Sequence, residues 1–306
     1  MENTPTLREL PSWRSGDNLD ALWGFLEQSQ AVPAEQRVAV FDNDGTLWCE
    51  RPTYNQVSFV IWFVEQRMKN DRGRQLLDDL QTLLQSGSNL LKGLNAQNIV
   101  QAVNHLFEGL QPHEFADLAR AFAERWRHPD HGELRALRYQ PMLELIAALR
   151  RRDFTVFLVT GGGTDFVRAL APSLYDIEPE RVVGTLVDYR YDAQNKTLTR
   201  GQQLLGAPDE GVEKVVRIQQ MLGRRPIFAA GNSAGDGPLL DYTQASDGPA
   251  LSILIDHDDA EREYAYKSVA ASIRDDRDIV EVGRESGWRI ISMREDWASV
   301  FASDPS

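Results

Sequence analysis

The stretch Arg37-Val38-Ala39-Val40-Phe41-Asp42-Asn43-Asp44-Gly45-Thr46 decides the fold. Its first half is apolar without alternation, the pattern of a strand covered on both faces of a sheet. It stops abruptly at Asp-Asn-Asp-Gly, residues that favour a turn. A buried strand that delivers two carboxylates, two residues apart, to its carboxyl end is what an open parallel sheet uses to build a ligand site.

Working outward, the same pattern recurs. Residues 153–160, Asp-Phe-Thr-Val-Phe-Leu-Val-Thr, read as a second buried strand ending at Gly161-Gly162-Gly163. Residues 226–230 read as a third, ending at Gly231-Asn232-Ser233-Ala234-Gly235-Asp236; 251–256 form a fourth and 289–293 a last one. Amphipathic helices are predicted over 17–30, with Leu19, Leu22, Trp23 and Leu26 on one face, over 142–151, from Thr164 or Asp165, and over 211–222. Residues 181–191 and 196–200 read as a β-hairpin around 192–195. Strands alternating with helices predict an α/β fold, a doubly wound parallel sheet.

Between the first two strands the rhythm is helical, with no good strand. Helices are predicted over 56–68 (Val57, Val60, Ile61 and Val64 at helical spacing), 71–85, 95–107 with Asn95 as N-cap, and 112–126 with Pro112 in the first turn. This block reads as an inserted α-helical cap. The expected division is 1–50 and 140–306 for the α/β core and 51–139 for the cap. No repeat or low-complexity tract is visible.

The chain has 306 residues, 42% hydrophobic and 26% charged, which suits a core domain plus one insertion. Lys and Arg number 33 against 46 Asp and Glu, a net charge of −13. That balance argues against nucleic acid as a partner, and it requires any phosphate site to be corrected locally by a metal ion or a lysine. No apolar run reaches the roughly 20 residues that span a bilayer. No basic patch followed by an apolar stretch opens the chain, so a cytoplasmic location is expected, although a trimmed periplasmic or secreted form would read the same. The single cysteine, Cys49, excludes an intramolecular disulfide and a multi-cysteine zinc site; it reads as a small buried side chain. His128-Pro129-Asp130-His131 reads as a polar loop rather than a metal site. Oligomeric state is not legible.

The three strand-terminal signatures, taken in order with Lys214 on the helix before the third strand, resemble the four motifs of the haloacid dehalogenase (HAD) superfamily. Within it the chain resembles the phosphoserine-phosphatase-like branch, whose helical cap lies between the first and second motifs. The resemblance covers about residues 37–256. It implies a HAD-type, Rossmann-like core and a Mg²⁺-dependent phosphatase that hydrolyses a small phosphomonoester. Asp42 would be the nucleophile, forming an aspartyl-phosphate. Asp44 would be the general acid and then the general base, and Gly45 would permit the tight turn that brings both carboxylates to one centre. Thr160, with the amides of Gly161 and Gly162, would hold a phosphate oxygen. Lys214, more compact than the neighbouring Arg217, would hold the phosphate and balance the charge on Asp42. Asp236 would complete a Mg²⁺ site with an Asp42 carboxylate oxygen and the Asp44 carbonyl. This chain departs from the branch at Gly231-Asn232, where Gly-Asp is usual; Asn232 can ligate through its amide oxygen or a water but adds no charge. Asp241 and Asp247 are other acids near this segment. Glu50 and Arg51, at the base of the cap, are candidate substrate contacts.

Asp44 favours phosphate ester hydrolysis over dehalogenation, because an alkoxide leaving group requires an acid. A phosphotransferase would use the same residues. A non-catalytic phosphate- or metal-binding module draws support from Asn232 alone, and a protein-interaction module from net charge alone. A cap of this size is expected to close over the crevice and exclude water, which favours small soluble phosphorylated metabolites.

Overall fold

Val38, Ala39, Val40 and Phe41 form a strand with all four side chains buried. The computed structural model describes residues 9–67, 104–268 and 277–302. The helices predicted over 71–85 and most of 95–107 lie outside them. The chain divides into two units. One comprises Met1–Arg51, Arg135–Thr160 and Glu210–Ser306; the other comprises Pro52–Leu134 and Gly161–Asp209.

In the first unit the main elements, in chain order, are helix α1 (Asp17–Gln28), strand β1 (Val38–Phe41), helix α2 (Gln140–Arg150), strand β2 (Thr155–Gly163, which crosses into the second unit), helix α3 (Val212–Leu222), strand β3 (Phe228–Gly231), helix α4 (Gly237–Gln244), strand β4 (Leu251–Asp256), helix α5 (Ile279–Ser286) and strand β5 (Arg289–Ser292). The strands lie in the order β5-β4-β3-β1-β2, and every neighbouring pair is parallel. Phe41 is level with Leu158 on β2 and Ala230 on β3. After β1 the chain moves to one side of it, to β2, and then to the other, to β3. The crevice between the carboxyl ends of β1 and β3 is therefore the topological switch point, where ligands bind in open α/β sheets.

Helix α1 carries Asp17 and Asp20 in its first turn, where negative charge suits the helix dipole. It buries Leu19, Leu22, Trp23, Phe25 and Leu26. Phe25 packs on Phe154 and Phe228, with ring centroids 5.8 and 5.7 Å apart, and Phe228 lies 5.3 Å from Phe41. Trp13, Tyr139 and Trp297 form a further aromatic cluster. Two eight-residue helices escape sequence reading. Helix α4 starts at the Gly237-Pro238 pair directly after the third signature. Helix α5 is capped by Asp278, whose carboxylate accepts from the Val280 amide at 3.0 Å.

The second unit holds helices Asn55–Arg67, Pro112–Arg125 and Thr164–Tyr175. They meet at Phe59, whose ring lies 5.2–5.7 Å from those of Phe107, Phe115, Phe122 and Phe166. The predicted strand over 181–191 is in fact two, Val182–Thr185 and Val187–Asp192. The second pairs antiparallel with Thr197–Leu204, with an irregularity between Val187 and Tyr189. The stretch expected to lack strands holds a two-residue pair, Arg127–His128 with Gly132–Glu133. Its turn is closed by the His128 imidazole, whose Nδ1 accepts from the Asp130 and His131 amides at 3.1 Å each. Used as an acceptor in this way, that nitrogen is not offered to a metal. Among the described residues no helix is long and apolar enough to cross a membrane.

Candidate active site

Strand β1 ends one residue before Asp42, whose amide continues the ladder to the Ala230 carbonyl at 2.9 Å. The backbone then turns. Gly45, at φ +73°, takes a conformation that a side chain disfavours. Its amide donates to the Trp48 carbonyl at 2.9 Å, and the amides of Thr46 and Leu47 donate to the Asn43 carbonyl. A Cβ at Gly45 would fall 2.0 Å from Asn232 Nδ2 and 3.1 Å from Glu50 Cδ. Glycine is thus required both for the turn and for the close approach of Asn232 and Glu50.

Asp42, Asn43, Thr46 and Glu50 are buried, whereas Asp44 retains partial exposure. The Asp42 carboxylate accepts from Lys214 Nζ at 2.7 Å through one oxygen and from Thr46 Oγ1 at 3.2 Å through the other. Lys214 is buried on α3. Its ammonium also donates to Asp236 Oδ1 at 2.7 Å and to the Val159 carbonyl at 3.1 Å. Asp236 is held on its other oxygen by the amides of Asn232 and Ser233, both at 3.0 Å, and by Ser233 Oγ at 3.2 Å. This carboxylate anchors the lysine and closes the turn after β3.

The electrostatics follow from burial. Desolvation, then the charge of Asp236, push the Asp42 carboxyl well above its ordinary range, against the pull of Lys214. Burial by itself would neutralise Lys214, but Asp236 and Asp42 outweigh it and hold the ammonium charged. Burial also raises Asp44, opposed by a hydrogen bond from Trp48 Nε1 at 2.9 Å and by Lys214. One cation among three acids leaves an excess of buried negative charge. A divalent cation beside Asp42 would relieve it and restore the carboxylate.

The donors fit such an ion in kind. Asp42 carboxylate, Asp44 carbonyl and Asn232 amide are hard oxygen ligands of the sort Mg²⁺ takes. Among the described residues no group of three or more His, Cys, Asp or Glu side chains stands together as a chelate. A cation here would lean on amide and backbone oxygens as well as on carboxylate.

The remaining expected residues are placed as follows. Thr160, fully buried, follows Val159 past the end of the β1–β2 pairing. Gly161 belongs to the second unit, where its carbonyl accepts from Thr185 Oγ1 at 2.7 Å. Glu50 is buried, and burial raises its carboxyl. The Arg51 guanidinium lies over the Tyr266 ring at 4.1 Å. Asp241 accepts from Trp288 Nε1 at 3.0 Å on α4. Sequence reading misses two contacts: the Trp48 indole on Asp44, and His257, whose Nε2 lies 2.8 Å from the Gly45 carbonyl. His257 directly follows β4, so the strand-end rule that finds Asp42 is the signal that also points to it.

A model of haloacid dehalogenase-like hydrolases matches residues 39–241. No curated protein matches the sequence. Among solved structures, a protein of unknown function from Bordetella pertussis Tohama I is similar with a TM-score of 0.57 at 18% identity, over 84% of this chain and 98% of that one. A conserved protein of unknown function from Anaerococcus prevotii DSM 20548 gives 0.56 at 15% identity, over 89% and 91%. Cytosolic 5'-nucleotidase IIIB bound to cytidine gives 0.50 at 16% identity, over 83% and 86%. At these identities the likeness is one of fold.

Proposed function

Because the chain belongs to the haloacid dehalogenase-like hydrolase family, we propose that it is a phosphatase acting on a small phosphomonoester, with Asp42 as nucleophile and Asp44 as general acid and base. The observation that carries this reading is the contrast within one turn. Asp42 is buried and fixed by Lys214, while Asp44, two residues on, is partly exposed and oriented by an indole N–H. In the proposed reaction an Asp42 carboxylate oxygen attacks phosphorus in line, and the bond from phosphorus to the ester oxygen breaks. Asp44 delivers its proton to that oxygen, and the alcohol leaves. Water then attacks the phosphorus of the aspartyl-phosphate while Asp44 accepts a proton from it. The bond to Asp42 breaks, giving phosphate and the free carboxylate. Lys214 supplies positive charge to the transferring group, and Thr160 is proposed as a further phosphate donor.

Asp42, the Asp44 carbonyl and Asn232 are the proposed Mg²⁺ ligands, directly or through water. Asp236, whose Oδ1 accepts from Lys214 and whose Oδ2 accepts from the Asn232 and Ser233 amides, is proposed to act through the lysine. Mg²⁺ would neutralise charge on the phosphoryl oxygens. Glu50, buried against the turn, and Arg51 are proposed to touch the leaving group.

The test is phosphate release from p-nitrophenyl phosphate and a panel of sugar, amino-acid and nucleotide monophosphates, with Mg²⁺ supplied. Asp42→Asn is expected to abolish turnover; near-wild-type release would end the covalent mechanism, and silence of the wild type across the panel would favour a binding module. Asn232→Asp adds the missing charge and is expected to lower the Mg²⁺ concentration needed for half-maximal activity. An unchanged requirement would exclude this position from the coordination shell.

A further inference from the structure

We propose that His257 is a positioning residue for the reaction: its imidazole, oriented by Glu263, fixes the Gly45 carbonyl and with it the aim of the Asp44 carboxyl. The inference rests on the phosphatase reading of Asp44. His257 follows the last residue of β4, and its side chain is fully buried, as is that of Glu263. A carbonyl oxygen only accepts, so Nε2, 2.8 Å from Gly45 O, donates the hydrogen. Nδ1 lies 3.2 Å from Glu263 Oε2. That carboxylate is itself held from two sides, by the Tyr139 hydroxyl at 3.0 Å and the Tyr264 amide at 2.6 Å. The Tyr266 ring stacks on the imidazole, with centroids 4.3 Å apart. The ring is thus held edge-on by a carboxylate and face-on by an aromatic.

What it holds is the one residue of the segment 42–48 without a side chain. Gly45 sits at φ +73°, in the residue type with the most conformational freedom. Its N–H is tied to Trp48 O at 2.9 Å, and the Trp48 indole holds Asp44 Oδ1 at 2.9 Å. The His257 bond ties the other end of the same residue. Gly45 is then restrained at both its N–H and its C=O, next to a carboxyl that the Trp48 indole holds. Burying an imidazole and a carboxylate together costs desolvation that apolar packing would avoid. A fully satisfied buried network returns rigidity at one place, and here that place is the turn directly after the two reacting carboxylates.

A pair of amide substitutions tests this. Gln at 257 can set its amide nitrogen near the position of Nε2, whereas Asn reaches only the Nδ1 side. A role in packing alone predicts similar behaviour of the two. Positioning predicts that His257→Gln keeps kcat within a few-fold. His257→Asn should lose on the order of 10²-fold, the cost of a misplaced catalytic group. The loss should be larger for an alkyl phosphate than for p-nitrophenyl phosphate, because only the poor leaving group needs the proton of Asp44. KM and the unfolding temperature should move little between the two variants. Equal losses in both, or a loss independent of leaving group, would overturn the proposal while wild-type turnover keeps the phosphatase reading intact. A wild type that releases phosphate from neither substrate would overturn both.

Discussion

Asp44 combines two opposing influences, and their balance sets where it titrates. Burial raises its carboxyl, while the Trp48 indole N–H, bonded at 2.9 Å, favours the charged form and lowers it. Trp48→Phe removes the second influence and keeps most of the packing. The carboxyl should then rise further, stay protonated to higher pH, and shift the alkaline limb of the rate profile upward for a poor leaving group. A limb that stays or moves down would show that the indole does not tune this acid. At this scale the sequence is legible where chemistry and spacing coincide. Asp42, Asp44 and Lys214 are all nameable from the strand-end pattern, and the structure joins Asp42 to Lys214 directly. The partner of Asp236 is not nameable. Whether that carboxylate turns toward a metal or toward Lys214 depends on the backbone of the turn after β3, whose two amides fold back onto it. The Trp48 contact is equally hidden, since a tryptophan four residues past an acid has many other uses.

At the scale of elements, apolar runs without alternation mark the strands well, because a strand covered on both faces has no polar side to confuse the reading. Strand β4 coincides with its predicted bounds. Short helices fare worse. Helices α4 and α5 have eight residues each, too few for a periodic stripe to stand out. Helix α1 is legible by its stripe, and its packing gives it weight: Phe25 meets Phe154 and Phe228, and Phe228 meets the β1 residue Phe41. Phe25→Ala should therefore cost about 3–5 kcal/mol of stability. It should lower the denaturant midpoint without changing the slope of the transition. A loss below about 1 kcal/mol would mean that the helix is not part of the cooperative core.

For the whole molecule, composition gives the right kind of constraint and little detail. A net charge of −13 requires that any anionic ligand meet positive charge locally, and Lys214, buried between Asp42 and Asp236, supplies one cation, which the two carboxylates already balance. The make-up of the second unit is less legible. Phe59 and Phe166 are far apart in sequence, and only the folded chain shows that residues 161–209 share an aromatic cluster with 52–134. The same burial has a practical consequence for Cys49. The thiol is fully enclosed, and burial, with the nearby Glu263 charge, pushes it far above its ordinary range. As a thiol rather than a thiolate, shut away from solvent, it cannot react with an alkylating agent until the fold opens. The native protein should keep its activity through such treatment, and fast stoichiometric labelling would contradict this. The slow labelling that remains should speed up with denaturant in step with unfolding. With one cysteine in the chain, the protein carries its own single-site clock for how often its core comes apart.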